Sequence, residues 1–208
     1  MLEKGKKDWW RKMNIKTKIL DFAEITQIYT KWMCKHFPEN ERKPLKKIEE
    51  MWKDAQYQAV GLYDEKDTFL GYAFFVLCKN CNYILLDYFA ILEEYRSTGI
   101  GSKFLGQLKK RFPFCKGIII ETEDEASAST VQEQLERKKR NAFYLRNGVQ
   151  RVYIKSAIYT ARYEIFVLPI EEKVSQEECF KALHEIYQYM VPGEKNQKYV
   201  RFQYIEHK

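Results

Sequence analysis

The turn Arg96-Ser97-Thr98-Gly99-Ile100-Gly101 constrains this chain more than any other stretch, because a β-rich run, Tyr83 to Leu92, leads into it and a helical pattern leaves it. Ile100, Phe104, Leu105, Leu108 and Phe112 mark one side of that helix, and Pro113 stops it. Glycines in such a turn let the backbone approach a ligand closely, while its N–H groups and the positive end of the helix dipole favour an anion; a phosphate needs both. A P-loop would require Gly-Lys-Ser or Gly-Lys-Thr after the glycines, and a dinucleotide fingerprint a third glycine with a distant acid. Gly101 is followed by Ser102-Lys103, so neither pattern is met.

The elements around the turn predict an α+β domain. Ile15, Thr17 and Ile19 alternate with polar residues as in a half-buried strand. Asp21 is a helix N-cap, and apolar positions from Phe22 to Phe37 recur at helical spacing until Pro38, predicting about four turns. Pro44 opens a second helix through Leu45, Ile48, Met51 and Trp52. Three β-rich runs follow: Tyr57 to Tyr63, Thr68 to Cys78 and Tyr83 to Leu92. A sheet built from them needs a helix on each face. Gly117 to Glu121 reads as a central strand, and Leu135, Ala142, Phe143 and Leu145 permit a helix ending near Gly148. Val149 to Ile158 and Arg162 to Val167 read as strands, and Ser175 to Met190 as an amphipathic helix before an aromatic, charged tail.

With 45% hydrophobic and 31% charged residues, 208 residues support one sizeable core rather than two equal domains. The net charge of +7 is spread among many acids, so it selects neither polynucleotide nor phosphorylated coenzyme. No apolar run is long enough to span a bilayer, and the amino terminus has no apolar stretch of the signal-peptide type. A cytoplasmic protein with no membrane partner is the expectation. Five cysteines form no disulfide framework, and Cys78-Lys79-Asn80-Cys81 reads as two thiols flanking a hairpin turn, with no second pair to complete a zinc site. No metal is expected, and His36, His184 and His207 are read as structural.

The turn, together with Asn141-Ala142-Phe143-Tyr144-Leu145-Arg146-Asn147-Gly148-Val149, resembles the GNAT acetyltransferase superfamily. The first match is its spacing of Arg or Gln, two residues, Gly, one residue, then Gly or Ala. The second is an aromatic-Tyr pair four residues before a Gly and a hydrophobic residue. The resemblance covers about residues 14 to 168; seven residues before Tyr144, where many members carry Asn, this chain has Arg137. It implies a mixed, mostly antiparallel central sheet with helices on both faces, plus a C-terminal helix and tail. The corresponding division is an extension at 1–12, a GNAT-like domain at 13–170, and the helix and tail at 171–208.

The resemblance also implies acetyl-CoA as co-substrate and transfer of its acetyl group to a primary amine of a small molecule or peptide, by direct attack in a ternary complex. Tyr144 would then protonate the leaving thiolate, and Asp87 or Glu121 would serve as base. The backbone of Phe89, Ala90 and Ile91 would align pantetheine. Arg96, Ser97, Thr98, Gly99, Ile100, Gly101, Ser102 and Lys103 would hold the pyrophosphate, with Asn141 and Tyr144 adding cofactor contacts. Tyr29, Trp32, Trp52, Tyr57 and Tyr159 offer aromatic faces to an amine. A non-catalytic coenzyme A-binding module, or one that engages RNA or a protein partner through basic residues such as Arg137 to Arg140, is the alternative. Nucleic acid is the less favoured partner because no nucleic-acid motif is present, and a monomer or homodimer is expected.

Overall fold

The computed structural model describes residues 13–171 and 173–205. Contacts divide the chain into two compact units: residues up to Val76 with Asp87–Arg111, and Leu77–Leu86 with the residues from Phe112 onward. The Trp9-Trp10 extension and His207 lie outside the described residues.

In the first unit β1 (Ile15–Ile19) runs into α1 (Phe22–Ile28) through a reciprocal cap. The Asp21 carboxylate accepts from the Glu24 amide at 2.8 Å, and the Glu24 carboxylate accepts from the Asp21 amide at 3.1 Å. These two bonds satisfy amides that a helix start otherwise leaves without partners. The helix predicted to continue to Phe37 does so by changing hydrogen-bond pattern, through a π-helical segment Tyr29–Met33 and the short α2 (Cys34–His36). Apolar spacing of three and four residues fits both pitches, so it cannot reveal the change. Pro44 is the N-cap of α3 (Leu45–Lys53) rather than its first residue, and Ile48 and Met51 are buried.

β2 (Tyr57–Asp64) pairs antiparallel with β1 and with β3 (Phe69–Val76). β3 neighbours β4 (Tyr83–Ile91), and a Cβ at Gly71 would lie 2.5 Å from the Ala90 carbonyl oxygen. Only glycine allows that approach. α4 (Ile100–Arg111) then buries Ile100, Phe104, Leu105 and Leu108.

In the second unit the first part of β4, Tyr83–Leu86, pairs in parallel with Gly117–Ile120 of β5 (Gly117–Glu123). That pairing ends at Leu86↔Ile120, before either strand ends. α5 (Val131–Arg146) follows, then β6 (Gln150–Ile158) and β7 (Ala161–Pro169), which pair antiparallel with each other, β7 also pairing antiparallel with β5. α6 (Gln176–Met190) and α7 (Glu194–Tyr199) lead to β8 (Val200–Tyr204), which pairs antiparallel with β6. The tail therefore contains a strand that the sequence pattern alone does not assign. The strand order is β1-β2-β3-β4 in the first unit and β4-β5-β7-β6-β8 in the second, giving the mixed, mostly antiparallel sheet expected.

One local expectation is corrected. Cys78 and Cys81 are not free thiols but a disulfide, because the intervening turn brings their Cα atoms to 5.5 Å, within bridging range. On α5 the apolar residues Val131, Leu135 and Leu145 are exposed, and the buried positions are Arg137, Asn141 and Tyr144. The helix was located by its apolar residues but buries a polar face.

Candidate functional site

In the first unit the chain leaves β4 through a 3-10 turn, Glu93–Tyr95, and reaches α4 with two left-handed residues, Ser97 (φ 60°) and Gly99 (φ 88°). Gly99 adopts this region without cost, while Ser97 does so against the usual preference of residues with a Cβ. The Thr98 hydroxyl donates to the Tyr95 carbonyl at 2.6 Å, and the Arg96 Nε donates to the Ile91 carbonyl at 3.0 Å. These bonds brace the turn from within. Ser102 and Lys103 amides donate to Gly99 O at 3.1 and 3.2 Å, whereas the amides of Thr98, Gly99, Ile100 and Gly101 donate to no carbonyl of a described residue. A helix start with a run of amides left over in this way has the chemistry of an anion cradle.

Not every residue assigned to the cradle points into it. The Lys103 ammonium donates to the Met13 carbonyl at 2.9 Å, which ties α4 to the lead of β1. Phe89 stacks on Phe104 with centroids 5.4 Å apart, fixing the end of β4 on α4. Ala90 and Ile91 are buried.

Asp87, also on β4, is committed on both oxygens. Lys43 donates to Oδ1 and the Tyr57 hydroxyl donates to Oδ2, each at 2.5 Å. The neighbouring Tyr88 hydroxyl accepts from the Lys43 amide at 2.8 Å and donates to the Glu41 carbonyl at 3.0 Å, so one strand anchors the whole loop before α3. Burial, and then the Asp87 charge, push the Tyr57 and Tyr88 phenols well above their ordinary range. Lys43 had no motif to reveal it; Tyr57 was visible only as an aromatic.

The other candidate carboxylate lies in the second unit. The Ser156 hydroxyl donates to Glu121 Oε1 at 3.0 Å, and the Tyr187 hydroxyl donates to Oε2 at 2.5 Å. Tyr187 comes from α6, where the helical pattern identified it as a core residue and carried no sign of its hydroxyl's partner.

The buried face of α5 is a polar network. The Arg137 guanidinium donates to the Asp124 carbonyl at 2.6 Å, Ser127 Oγ at 2.8 Å and Glu123 Oε1 at 2.9 Å, and also to Glu133. Asn141 Nδ2 donates to Glu125 at 2.7 Å and Glu164 at 3.2 Å, leaving its Oδ1 buried without a partner among the described residues. Tyr144 follows on the same face, 7% exposed, with its hydroxyl free of hydrogen bonds among the described residues and its phenol pushed up to about 12 by burial. Trp32 and Trp52 pack on Phe69 and Phe22, and Tyr159 on Tyr199. Among the described residues no group of three His, Cys, Asp or Glu is placed to hold a metal, and no helix is long and apolar enough to cross a membrane.

Residues 24–130, more than half of the chain, match the family model described as Acetyltransferase (GNAT) family. The chain belongs to the GNAT acetyltransferase family. Solved structures show the same fold at low sequence identity. A GNAT-family protein from Bacteroides thetaiotaomicron is 14% identical with a TM-score of 0.66, the match covering 83% of this chain and 96% of that one. The ribosomal-protein-S18-alanine N-acetyltransferase of Escherichia coli is 16% identical with a TM-score of 0.53, covering 78% and 97%. Spermidine N-acetyltransferase from Vibrio cholerae, solved with CoA and spermine, is 9% identical with a TM-score of 0.53, covering 80% and 98%. No curated protein matches in sequence.

Proposed function

We propose that this GNAT-family chain is an acetyl-CoA-dependent N-acetyltransferase that moves an acetyl group to a primary amine of a small molecule or peptide. The observation that carries the reading is the run of amides from Thr98 to Gly101 at the start of α4, which donate to no carbonyl of a described residue and so remain available to a pyrophosphate. The names of two fold neighbours, acting on spermidine and on an alanine of a ribosomal protein, support an amine acceptor.

Acetyl-CoA would supply an acetyl thioester, open to direct attack by an amine in a ternary complex. Backbone groups of Phe89, Ala90 and Ile91, beyond the last β4–β5 pair, would orient the pantetheine arm in the manner of an added strand, and the Ile91 amide would polarise the carbonyl. Arg96, exposed at the head of the turn, adds positive charge for the phosphates.

Of the two candidate bases Glu121 is favoured. Protonating Asp87 would break its ion pair with Lys43, and Glu121 accepts from the Ser156 and Tyr187 hydroxyls, which can reorient as it takes a proton. Tyr144 is the proposed donor to the departing sulfur. A phenol near 12 remains protonated at neutral pH, and against a thiol of about 8.5 it acts as a hydrogen-bond donor more than as a full acid.

Calorimetric titration of the parent and of Gly101→Asp with acetyl-CoA tests the cradle, followed by a screen of amines for thiol release. Binding by the parent that weakens by about 100-fold or more in the variant, equal to about 2.7 kcal/mol, is expected. A folded parent that binds no acetyl-CoA would overturn the reading. Binding without release for any amine would instead leave a coenzyme A-binding module.

A further inference from the structure

The edge of the second unit carries an arrangement of charge that the acetyl-transfer reading does not use. Ala157 of β6 pairs with Arg162 of β7 on one side and with Arg201 of β8 on the other. Cross-strand partners share a face of a sheet, so two arginines flank a single methyl group. The adjacent row on that face is Glu164, Lys155 and Gln203. Asp124, Lys155, Ala157, Arg162, Arg201 and Gln203 line a cavity of about 400 Å³.

The lining holds three cations and one carboxylate, and the nearby acids are already occupied. Asp124 pairs with Lys155 at 2.7 Å and caps the Ala126 amide at 3.1 Å. Glu164 pairs with Arg151 at 2.9 Å and accepts from Asn141 at 3.2 Å. Arg162 and Arg201 form no ion pair with a described residue. Like charges on one row repel.

We propose that this cavity binds a phosphoryl group, or another tetrahedral oxyanion, carried by a small molecule. Guanidinium forks match the oxygens of such a group, Lys155 and the Gln203 amide add donors, and the small Ala157 side chain leaves room for the anion over the strand. Its unpaired positive charge comes from two arginines lining one partly open cavity, which favours a small ligand over a polynucleotide. All the lining residues belong to the second unit, so the site stands or falls independently of the glycine turn.

The test is titration of the full chain with inorganic phosphate, followed by calorimetry, for the parent, Arg162→Gln, Arg201→Gln and Gly101→Asp. Both arginines are exposed, so unchanged circular dichroism and melting temperature should accompany their replacement. Binding in the millimolar range or tighter, weakened about 10-fold by either arginine variant and retained by Gly101→Asp, is the expected result. Equal binding in all four proteins, loss only in Gly101→Asp, or no binding at about 10 mM phosphate would overturn the proposal. A 12-nucleotide oligouridylate, titrated in parallel at two salt concentrations, separates the sources of the oxyanion. Salt-dependent binding of the oligonucleotide that needs both arginines and is far tighter than that of phosphate would overturn the small-molecule assignment, and weak or absent binding would support it.

Discussion

The glycine turn and the inner face of α5 use polar groups in opposite ways. At the turn, the amides of Thr98 through Gly101 have no carbonyl acceptor among the described residues. On α5, the Arg137 guanidinium meets four acceptors and the Asn141 amide two. The first arrangement has capacity left for a ligand. The second spends most of its donors inside the protein, holding Asp124, Ser127 and Glu123 to the helix. A motif-matched residue is therefore a candidate for chemistry only to the extent that its polar atoms remain available. By that criterion Tyr144, whose hydroxyl has no partner among the described residues, is the residue of the α5 face proposed for chemistry, beside an Asn141 whose amide nitrogen is already engaged.

The largest expected effect breaks the structural half of this comparison. Arg137→Leu removes a guanidinium that is 8% exposed and strands the acceptors gathered around it. Unfolding in urea should show a loss of about 3 to 5 kcal/mol, the usual cost of deleting one partner from a buried ionic network. A loss under about 1 kcal/mol would mean that the network does not hold α5. Tyr144→Phe should do the reverse: stability and acetyl-CoA affinity stay close to the parent, while kcat falls by about 10-fold to 100-fold, a barrier increase of about 1.4 to 2.7 kcal/mol. Full turnover in that variant would remove Tyr144 from the mechanism.

What the sequence disclosed follows the same division between local and distant partners. Asp21 could be read as a cap because its partner, Glu24, is three residues away, and the turn could be read because its glycines, strand and helix are contiguous. The buried face of α5 was not legible, since its burial depends on Asp124, Glu123 and Glu164, which reach it only through the sheet. Periodicity detects apolar stripes, and here the apolar residues Val131, Leu135 and Leu145 lie outside. Glu121 was legible as a candidate, but not the α6 hydroxyl that holds it, because 66 residues separate Tyr187 from it. β8 escaped because five residues of alternating side chains beside α7 become a strand only by pairing with β6.

A smaller effect tests the local end of that division. Asp21→Ala removes the side-chain acceptor of the capping box but leaves every tertiary partner in place, and should cost about 1 kcal/mol in equilibrium unfolding. A cost near that of Arg137→Leu would show that the cap also fixes how β1 enters α1.

The smallest effect concerns the charge that the turn projects onto its own unit. His36 accepts from or donates to the Tyr72 hydroxyl across 3.0 Å and stacks on that ring. Burial, and then the positive charges of Arg96 and Lys35, lower its pKa from 6.5, while Glu93 and Glu94 oppose them. Because the folded state favours neutral imidazole, the unfolded chain binds the proton more readily below pH 6.5, and stability contributed by this group is lost as pH falls from there toward the folded-state pKa. Measured between pH 7 and pH 5, the parent should lose more unfolding free energy than His36→Gln, and replacing Arg96 by Gln in the parent should narrow the difference. An equal loss in parent and His36→Gln would show that His36 has no linkage to folding. A difference unaffected by Arg96→Gln would assign the shift to burial alone, leaving the positive charge at the head of the turn for an incoming anion.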